Sequence, residues 1–138
     1  MEKRVYDINL MKFISLFESL TGARVKDCVE QDQALLFVIE PGDMGKAIGR
    51  NGSHIKRIEG TIKKPIRVVE FSDNIEEFVC SLLYPLVPLG VNQEEGTLVI
   101  TGKDAKTRGM IIGRDRSRLH SIQSIIARFF PIKEIKVT

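Results

Sequence analysis

Two glycines in one short stretch of this chain could hold a phosphodiester backbone. The stretch reads Ile48-Gly49-Arg50-Asn51-Gly52-Ser53-His54-Ile55. Because glycine has no Cβ, another backbone can approach it closely, and a positive φ angle costs little there. A helix that begins at Gly52 would direct its unpaired N–H groups and the positive end of its dipole into the loop. We therefore predict an anion-binding loop at residues 49–52, called the first loop below.

A related stretch lies 64 residues further along the chain and reads Ile112-Gly113-Arg114-Asp115-Arg116-Ser117-Arg118-Leu119. Residues 113–116 of this stretch are called the second loop. Its first glycine and the arginine that follows are retained, but Arg116 stands where the first loop has Gly52. Two related loops in register indicate an internal duplication rather than a chance turn.

Positive charge is concentrated around both loops, although the formal net charge of the chain is only +3. Seven Lys or Arg residues and the single acid Glu59 lie between Gly45 and Arg67. Six more lie between Lys103 and Arg118, against two aspartates. This distribution is the one that a polyanionic partner requires.

The apolar periodicity of the first half predicts an alternation of helices and strands around the first loop. The predicted elements are a helix over 10–20 that ends at Thr21-Gly22, strands over 24–30 and 34–40 around the turn 31–33, a helix over 53–59 and a strand over 65–71. The segment 34–40 is almost continuously apolar, which is typical of a strand buried on both faces.

The second half repeats this order. Its predicted elements are a helix from about residue 74, extended segments over 86–92 and 97–101, a helix that carries Leu119, Ile122, Ile125, Ile126 and Phe129, and a strand over 132–137. Ser72 or Asp73 is expected to cap the first of these helices, with Glu76 in a capping box. Each half therefore reads helix-strand-strand-loop-helix-strand, and no linker separates the two.

The pattern Ile-Gly-x-x-Gly-x-x-Ile, between a short helix and a longer one, resembles the core signature of the K-homology (KH) RNA-binding domain. The order of elements resembles the type II arrangement of that domain. The resemblance implies an α/β (α+β) fold of two tandem type II KH domains, at residues 1–71 and 72–138. Each would be helix-strand-strand-helix-helix-strand, with a three-stranded sheet covered by helices. A tandem pair of this kind resembles the NusA-like transcription factors in their short archaeal form, which consists of the KH pair alone.

The resemblance implies that single-stranded RNA lies in a groove of each domain, with its backbone held by the glycine loop. In the first half, Gly49, Arg50, Asn51 and Gly52 would contact the sugar-phosphate backbone. The groove floor would be formed by Ile48 and Ile55. Lys56 and Arg67 are further candidate RNA contacts.

The match is incomplete in the second half. Gly113 and Arg114 fit the signature, whereas the side chain of Arg116 and the carboxylate of Asp115 oppose the usual clamp. Arg114, Arg116 and Arg118 could compensate by ion pairing with phosphate. We therefore expect the second half to bind RNA less tightly than the first and mainly through electrostatics.

Other features of the loop regions are interpreted as follows. Gly45 and Gly109 each precede a loop by four residues, and we expect them to permit tight packing of helices rather than to contact RNA. His54 is a candidate to lie beside the RNA path. Cys28 and Cys80 lack metal-ligand spacing and are expected to be buried free thiols in a reducing compartment.

The function predicted from these observations is that of a non-enzymatic RNA-binding protein that binds nascent RNA in transcription elongation or termination. The alternatives are a ribosome-associated or rRNA-processing KH protein, and an adaptor that docks RNA polymerase. No cofactor, metal site or catalytic residue is expected, because no histidine has a carboxylate or cysteine partner at triad or metal spacing. No signal peptide or membrane span is visible. We expect a cytoplasmic monomer whose partners are single-stranded RNA and a transcription complex.

Overall fold

The computed structural model describes residues 8–31 and 33–138. These residues form two compact units, which meet between Phe71 and Ser72 in the chain. In the first unit the elements are α1 (Ile8–Thr21), β1 (Val25–Gln31), β2 (Ala34–Ile39), α2 (Met44–Ile48), α3 (Ser53–Ile62) and β3 (Ile66–Glu70). Asp32, in the predicted turn between the first two strands, lies outside the described residues. A single 3-10 turn, Arg50–Gly52, connects α2 to α3.

The second unit repeats this order. Its elements are α4 (Ile75–Leu83), β4 (Gly90–Glu94), β5 (Thr97–Thr101), α5 (Ala105–Ile112), α6 (Ser117–Phe129) and β6 (Glu134–Val137). Another 3-10 turn, Arg114–Arg116, connects α5 to α6. The predicted order helix-strand-strand-helix-helix-strand is confirmed in both units.

Each unit has a three-stranded sheet of mixed direction. The strand orders are β1-β2-β3 and β4-β5-β6, so that β2 and β5 are the central strands. In both sheets the first pair is antiparallel and the second is parallel. The parallel pair needs a crossover connection, and the two helices around each loop supply it. The sheet thus fixes both ends of the helix-loop-helix segment.

The core of the first unit lies between its sheet and its helices. Phe17 of α1 stacks on Phe37 of β2, with ring centroids 4.4 Å apart. Ile58 of α3 and Ala47 of α2 belong to the same buried cluster. The strand predicted to be buried on both faces is confirmed, because every residue from Leu35 to Ile39 is fully buried.

The core of the second unit is built around Phe78 of α4. Its ring lies 6.0 Å from the ring of Phe129, in an edge-to-face arrangement. The apolar face predicted for the last helix is confirmed, because four of its residues are buried: Leu119, Ile122, Ile125 and Ile126.

Local details at the start of α4 differ from the sequence-based expectation. The capping residue is Asn74, whose side-chain oxygen accepts the N–H of Glu77 at 3.0 Å. The predicted caps, Ser72 and Asp73, precede it. The glutamate that takes part in this cap is Glu77 and not the predicted Glu76. Its carboxylate accepts a hydrogen bond from the hydroxyl of Ser72 at 2.8 Å. The cap lies later in the chain than predicted, because Asn74 itself satisfies an unpaired N–H group.

The structure corrects two further predictions in the second unit, the first of them only in part. The extended segment predicted over 86–92 forms a strand only from Gly90 onward, since Pro85 and Pro88 lack the N–H groups that a ladder requires. Cys80 is exposed, because the buried face of α4 consists of Phe78, Val79, Leu82 and Leu83. Cys28 is buried as predicted. Among the described residues, no helix is long and apolar enough to span a bilayer.

Candidate nucleic-acid interface

The first loop adopts a sequence of backbone conformations that depends on its glycines. Gly49 has φ 74° and ψ 174°, a combination essentially restricted to glycine. Asn51 (φ 55°, ψ 31°) and Gly52 (φ 73°, ψ 18°) are both left-handed. The N–H of Gly49 closes α2 by donating to the oxygen of Gly45 at 3.0 Å.

His54 covers the first glycine of this loop. A Cβ placed on Gly49 would lie 2.6 Å from Cγ of His54, so the imidazole ring occupies the space that any side chain would need. The ring is held in place because Nδ1–H of His54 donates to the carbonyl oxygen of Lys46 at 2.6 Å. Gly49 is therefore required by its conformation and by its neighbour.

The second glycine of the loop is open. A Cβ placed on Gly52 would meet nothing within 4 Å. Gly52 also caps α3, and as a glycine it has no side chain to accept a hydrogen bond from the first turn of that helix. The N–H groups of Gly52 and Ser53 already donate within the turn, to the oxygens of Gly49 and Arg50. What this position offers an anion is therefore the positive end of the α3 dipole with no side chain over it.

The second loop has the same backbone conformation as the first. Gly113 (φ 78°, ψ 171°), Asp115 (φ 54°, ψ 30°) and Arg116 (φ 61°, ψ 20°) reproduce the conformations of Gly49, Asn51 and Gly52 closely. Arg116 thus takes a left-handed conformation that glycine would adopt at lower cost. The replacement changes the side chain and leaves the shape of the loop unchanged.

Arg118 covers Gly113 in the second unit as His54 covers Gly49 in the first. A Cβ placed on Gly113 would lie 2.9 Å from both Cβ and the backbone nitrogen of Arg118. The two covering residues are related by the same offset of 64 positions as the loops. Each covering residue follows its glycine by five positions, which shows in the sequence that the two are equivalent. That they cover the glycines is visible only in the fold.

Side chains outside the loop hold α2 in position. Asp43, directly before the helix, accepts the backbone N–H of Arg24 at 2.8 Å and Nε–H of the same residue at 3.2 Å. These two hydrogen bonds hold the pKa of the Asp43 carboxyl below its usual range. Glu70, at the end of β3, accepts the N–H of Gly42 at 2.7 Å. Neither anchor is apparent from the sequence, since the pairs are distant in the chain.

The charges around the first loop are mostly uncompensated. Arg50 and Lys56 are exposed, and neither side chain forms an ion pair with any residue in the described ranges. Glu59, the one acid in this region, has a structural role, because its carboxylate accepts the N–H of Ile66 at 2.8 Å. Positive charge near the loop therefore remains available to an anionic ligand.

The predicted apolar positions differ in exposure. Ile48, at the end of α2, is 37% exposed, whereas Ile55 of α3 is half-buried and packs against the core of its unit. Arg67 lies half-buried on β3, paired in register with Leu36 of β2. The structure thus brings Ile48 and residues 49–52 together, with Lys56 in the first turn of α3. Arg67 projects from the other face of the sheet, because Ile66 and Val68 on either side of it pack against the helix-covered core.

In the second loop, Arg114, Asp115 and Arg116 are all exposed. Arg118 is also exposed and follows on the first turn of α6. The four predicted residues of this site (Gly113, Arg114, Arg116 and Arg118) therefore lie together, and Asp115 is the acid among them.

Two alternatives to the loops were considered in the part of the chain that the structure describes, a metal site and a surface cavity. No cluster of three or more His, Cys, Asp or Glu side chains that could hold a metal ion occurs within those residues. An open cavity of about 600 Å³ lies on the second sheet, where it is lined by Glu94, Glu95, Thr97, Val99 and Lys136. Its two glutamates make it unsuited to a polyanion.

A Gly-x-x-Gly loop between two helices, set on a three-stranded sheet with one antiparallel and one parallel pair, defines the first unit as a KH domain, a class of RNA-binding domain. Comparison with known protein families agrees, because the family described as "KH domain" matches residues 14–77.

The relatives and a solved structure cover almost the whole chain. A protein of Halococcus morrhuae named "Probable transcription termination protein NusA" is 30% identical over 129 residues, which are 92% of this chain and 93% of that protein. A protein of the same name from Methanococcus vannielii is 32% identical over 127 residues, or 90% of this chain and 73% of its own length. The crystal structure of APE1850 superposes with a TM-score of 0.74 and 25% identity over 96% of this chain and 100% of that one. The chain therefore belongs to the NusA-like family of KH proteins.

Proposed function

We propose that this chain is a single-stranded RNA-binding factor of the NusA type, which binds nascent RNA through both loops and acts in transcription elongation or termination. The observation that carries the proposal is the shared backbone conformation of the two loops, each opening onto the start of a helix. The names of the relatives support the link to transcription termination. We further propose that each compact unit is one KH domain, with the boundary between Phe71 and Ser72.

In the first unit, the phosphodiester backbone would pass over Gly52, where the absence of a Cβ leaves the helix start accessible. Arg50 and Asn51 would contact phosphate and ribose from the loop, because both side chains are exposed. Ile48 would offer an apolar surface to a base, with Ile55 behind it. Lys56 would add charge along the RNA path, and Arg67 would add to it only at longer range, from the other face of the sheet.

In the second unit, Arg116 would reach phosphate with its guanidinium instead of allowing close approach of the backbone. A left-handed arginine is unfavourable by about 1 kcal/mol, and such a cost commonly persists where a residue has a functional role. Arg114 and Arg118 would add to the attraction, whereas Asp115 would oppose it. The second unit should consequently bind more weakly and with stronger dependence on salt.

The proposal also covers catalysis, oligomeric state, location and the link to RNA polymerase. The chain would act without catalysis, as a monomer in the cytoplasm, and its association with RNA polymerase would run through the transcript. Ribonuclease treatment should therefore release polymerase from the protein. Polymerase that stays bound after the treatment would instead show a direct protein contact.

The test of the first loop is fluorescence anisotropy with a labelled single-stranded RNA at two salt concentrations. The variant Arg50→Asp/Asn51→Asp makes the loop more negative at both positions and keeps both glycines. Asp at position 51 is compatible with the backbone, because Asp115 adopts the same conformation in the second loop. We expect the affinity of the variant to fall and its salt dependence to weaken.

A matched control makes the same change of charge elsewhere. Lys133→Asp/Gln93→Glu replaces a cation and a neutral amide, both exposed, in the second unit and outside both loops. If the control lost as much affinity as the loop variant, binding would reflect overall charge and the proposed site would be wrong.

The second loop is tested by Arg116→Gly, compared with Lys63→Gly. Both residues are exposed and left-handed, and Lys63 lies at the end of α3 away from the loop. Each substitution should raise the free energy of unfolding by about 0.5–1 kcal/mol, because the left-handed cost that is removed exceeds the entropy that glycine adds to the unfolded chain. Only Arg116→Gly should make RNA binding less sensitive to salt. The plot of log binding constant against log salt concentration should become shallower by about 0.7, the value for one phosphate contact on a single strand. An unchanged slope would remove Arg116 from the interface.

A further inference from the structure

We propose that the second loop, together with Arg118, prefers the terminal phosphate of an RNA chain, the group that a transcript carries at its 5′ end. The first loop would hold the internal phosphodiesters of such a strand. This inference rests on the proposed function, because it names the part of the RNA that the second unit binds.

The two loop regions differ in charge. Residues 113–118 carry three arginines and one aspartate, a net charge of +2. Residues 49–54 carry only the charge of Arg50 when His54 is neutral, a net charge of +1. An internal phosphodiester has one negative charge, whereas a phosphomonoester has about −1.5 to −2 at pH 7 and three acceptor oxygens. Each region therefore matches a different kind of phosphate group.

Other features of the two regions are shared and do not explain this difference. The two loops have the same backbone conformation. Gly45 and Gly109, one helical turn before the loops, are also alike, since a Cβ placed on either would meet nothing within 4 Å. The tight helix packing expected at these two glycines is therefore wrong. What distinguishes the second region is its side chains at positions 115, 116 and 118.

The three guanidinium groups of the second region are available to a ligand. Arg114, Arg116 and Arg118 are exposed, and none of them forms an ion pair with a carboxylate in the described part of the chain. Arg118 starts at the loop itself, since a Cβ placed on Gly113 would lie 2.9 Å from the Cβ of Arg118. Guanidinium groups bind phosphate oxygens in pairs, and a terminal phosphate offers one more free oxygen than an internal one.

The position before the helix favours the end of a strand over its middle. A Cβ placed on Gly52 would meet nothing within 4 Å, so a continuous strand can pass closely over the start of α3. Arg116 has the same left-handed conformation but brings a long side chain to the equivalent position. Asp115 adds a carboxylate, which repels each further phosphate of a continuous strand. A strand that ends at the second loop brings a single phosphate group and avoids both obstacles.

The test compares two single-stranded RNAs of the same sequence, one with a 5′-hydroxyl and one with a 5′-phosphate. Both are labelled at the 3′ end and titrated by fluorescence anisotropy. For the wild type, we expect the 5′-phosphate to lower Kd about tenfold, the effect of a hydrogen-bonded charged group. Arg116→Gly should lose most of this gain. Arg50→Asp/Asn51→Asp should bind both RNAs more weakly and keep the ratio of their Kd values.

Two controls separate a specific contact from general attraction between charges. An RNA that is one nucleotide longer and ends in a 5′-hydroxyl adds a negative charge without a terminal phosphate, and it should gain much less than tenfold. Lys63→Gly removes an exposed, left-handed cation outside both loops and should keep the full gain. If Lys63→Gly lost as much of the gain as Arg116→Gly, the preference would reflect overall charge and the proposal would be wrong.

The reverse substitution transfers the preference to the first loop. Gly52→Arg places an arginine in an open, left-handed position like the one that Arg116 occupies. In the Arg116→Gly background, this change should restore part of the gain from the 5′-phosphate. No restoration would show that an arginine at this position does not determine the preference.

A free nucleotide carries the same phosphate group, and competition distinguishes the two sources. A nucleoside 5′-monophosphate at micromolar concentration should leave the gain unchanged, because the RNA end belongs to a strand that the protein already holds elsewhere. Loss of the gain at that concentration would assign the second loop to a free nucleotide and overturn the proposal.

Failure of this inference is distinguishable from failure of the proposed function. Equal Kd values for the two RNAs in the wild type would refute the terminal-phosphate contact, even though both RNAs bind. If the wild type and Arg50→Asp/Asn51→Asp bound each RNA equally, the first loop would not be an RNA site, and the proposed function itself would fail.

Discussion

Replacing Gly49 by alanine should destabilise the first unit more than the same change at Gly52, although both glycines belong to one loop. Alanine at Gly49 would have to adopt φ 74° and ψ 174° and would place its methyl group 2.6 Å from Cγ of His54. Alanine at Gly52 needs only a left-handed conformation in open space. The two substitutions therefore separate conformational cost from steric conflict.

The expected magnitudes follow from these two differences. At Gly49 the backbone strain is about 1–3 kcal/mol, and displacement of the His54 ring loses its hydrogen bond to Lys46, about 1 kcal/mol. Alanine offsets roughly 0.4–1 kcal/mol through the lower entropy of the unfolded chain. The net loss should be about 2 kcal/mol at Gly49, against about 0.5–1 kcal/mol at Gly52, where the left-handed cost is reduced by the same entropy offset.

The assay is urea denaturation followed by far-ultraviolet circular dichroism. With a slope of about 1–3 kcal/mol per molar urea, the loss at Gly49 should lower the midpoint by roughly 1 M. A second measurement in the His54→Ala background removes the ring, so Gly49→Ala should cost less there by about 1 kcal/mol. Equal losses at Gly49 and Gly52, or an unchanged cost without the ring, would refute the role assigned to His54.

Two further predictions concern a helix cap and a carboxylate anchor. Asn74→Ala should lower the stability of the second unit by about 1 kcal/mol in thermal or urea unfolding, because it removes the cap of the Glu77 N–H; no loss would show that Ser72 or Asp73 can take over. The Asp43 pKa is lowered mainly by the backbone N–H of Arg24, so its stabilising effect is fully present above the ordinary pKa of aspartate and disappears as the pH falls through the lower folded value. Asp43→Asn should therefore make the melting temperature depend less on pH below about pH 4. If the melting temperature fell with pH as steeply as in the wild type, the hydrogen bonds from Arg24 to Asp43 would not stabilise the fold.

Periodicity made most of the fold predictable from the sequence. The apolar spacing of the long helices and the continuous apolar run from Leu35 to Ile39 identify their elements, because burial depends on which face each side chain occupies. The short helix α2 has only five residues, too few for a periodic signal, and was expected only through the KH resemblance. Cys80 was misplaced for a related reason, since apolar neighbours in sequence do not decide which face of a helix is buried.

The candidate site was predictable in composition but only partly in geometry. Glycine, arginine and asparagine types identified the first loop, and the repeat identified the second. The sequence could not show that Gly45 is open or that His54 covers Gly49, since both facts depend on how α2 and α3 turn toward each other. The anchors from Asp43 to Arg24 and from Glu70 to Gly42 were equally hidden, as each joins segments that only the sheet brings together.

The comparison of the two loops indicates which residue determines their shape. The second glycine cannot be essential, because Arg116 takes the same left-handed conformation as Gly52. The first glycine recurs in both units, and in each a residue five positions later closes over it. The covered glycine thus fixes the loop, and the open position before the helix is free to differ. The same loop conformation can therefore carry a glycine before the helix in the first unit and an arginine in the second.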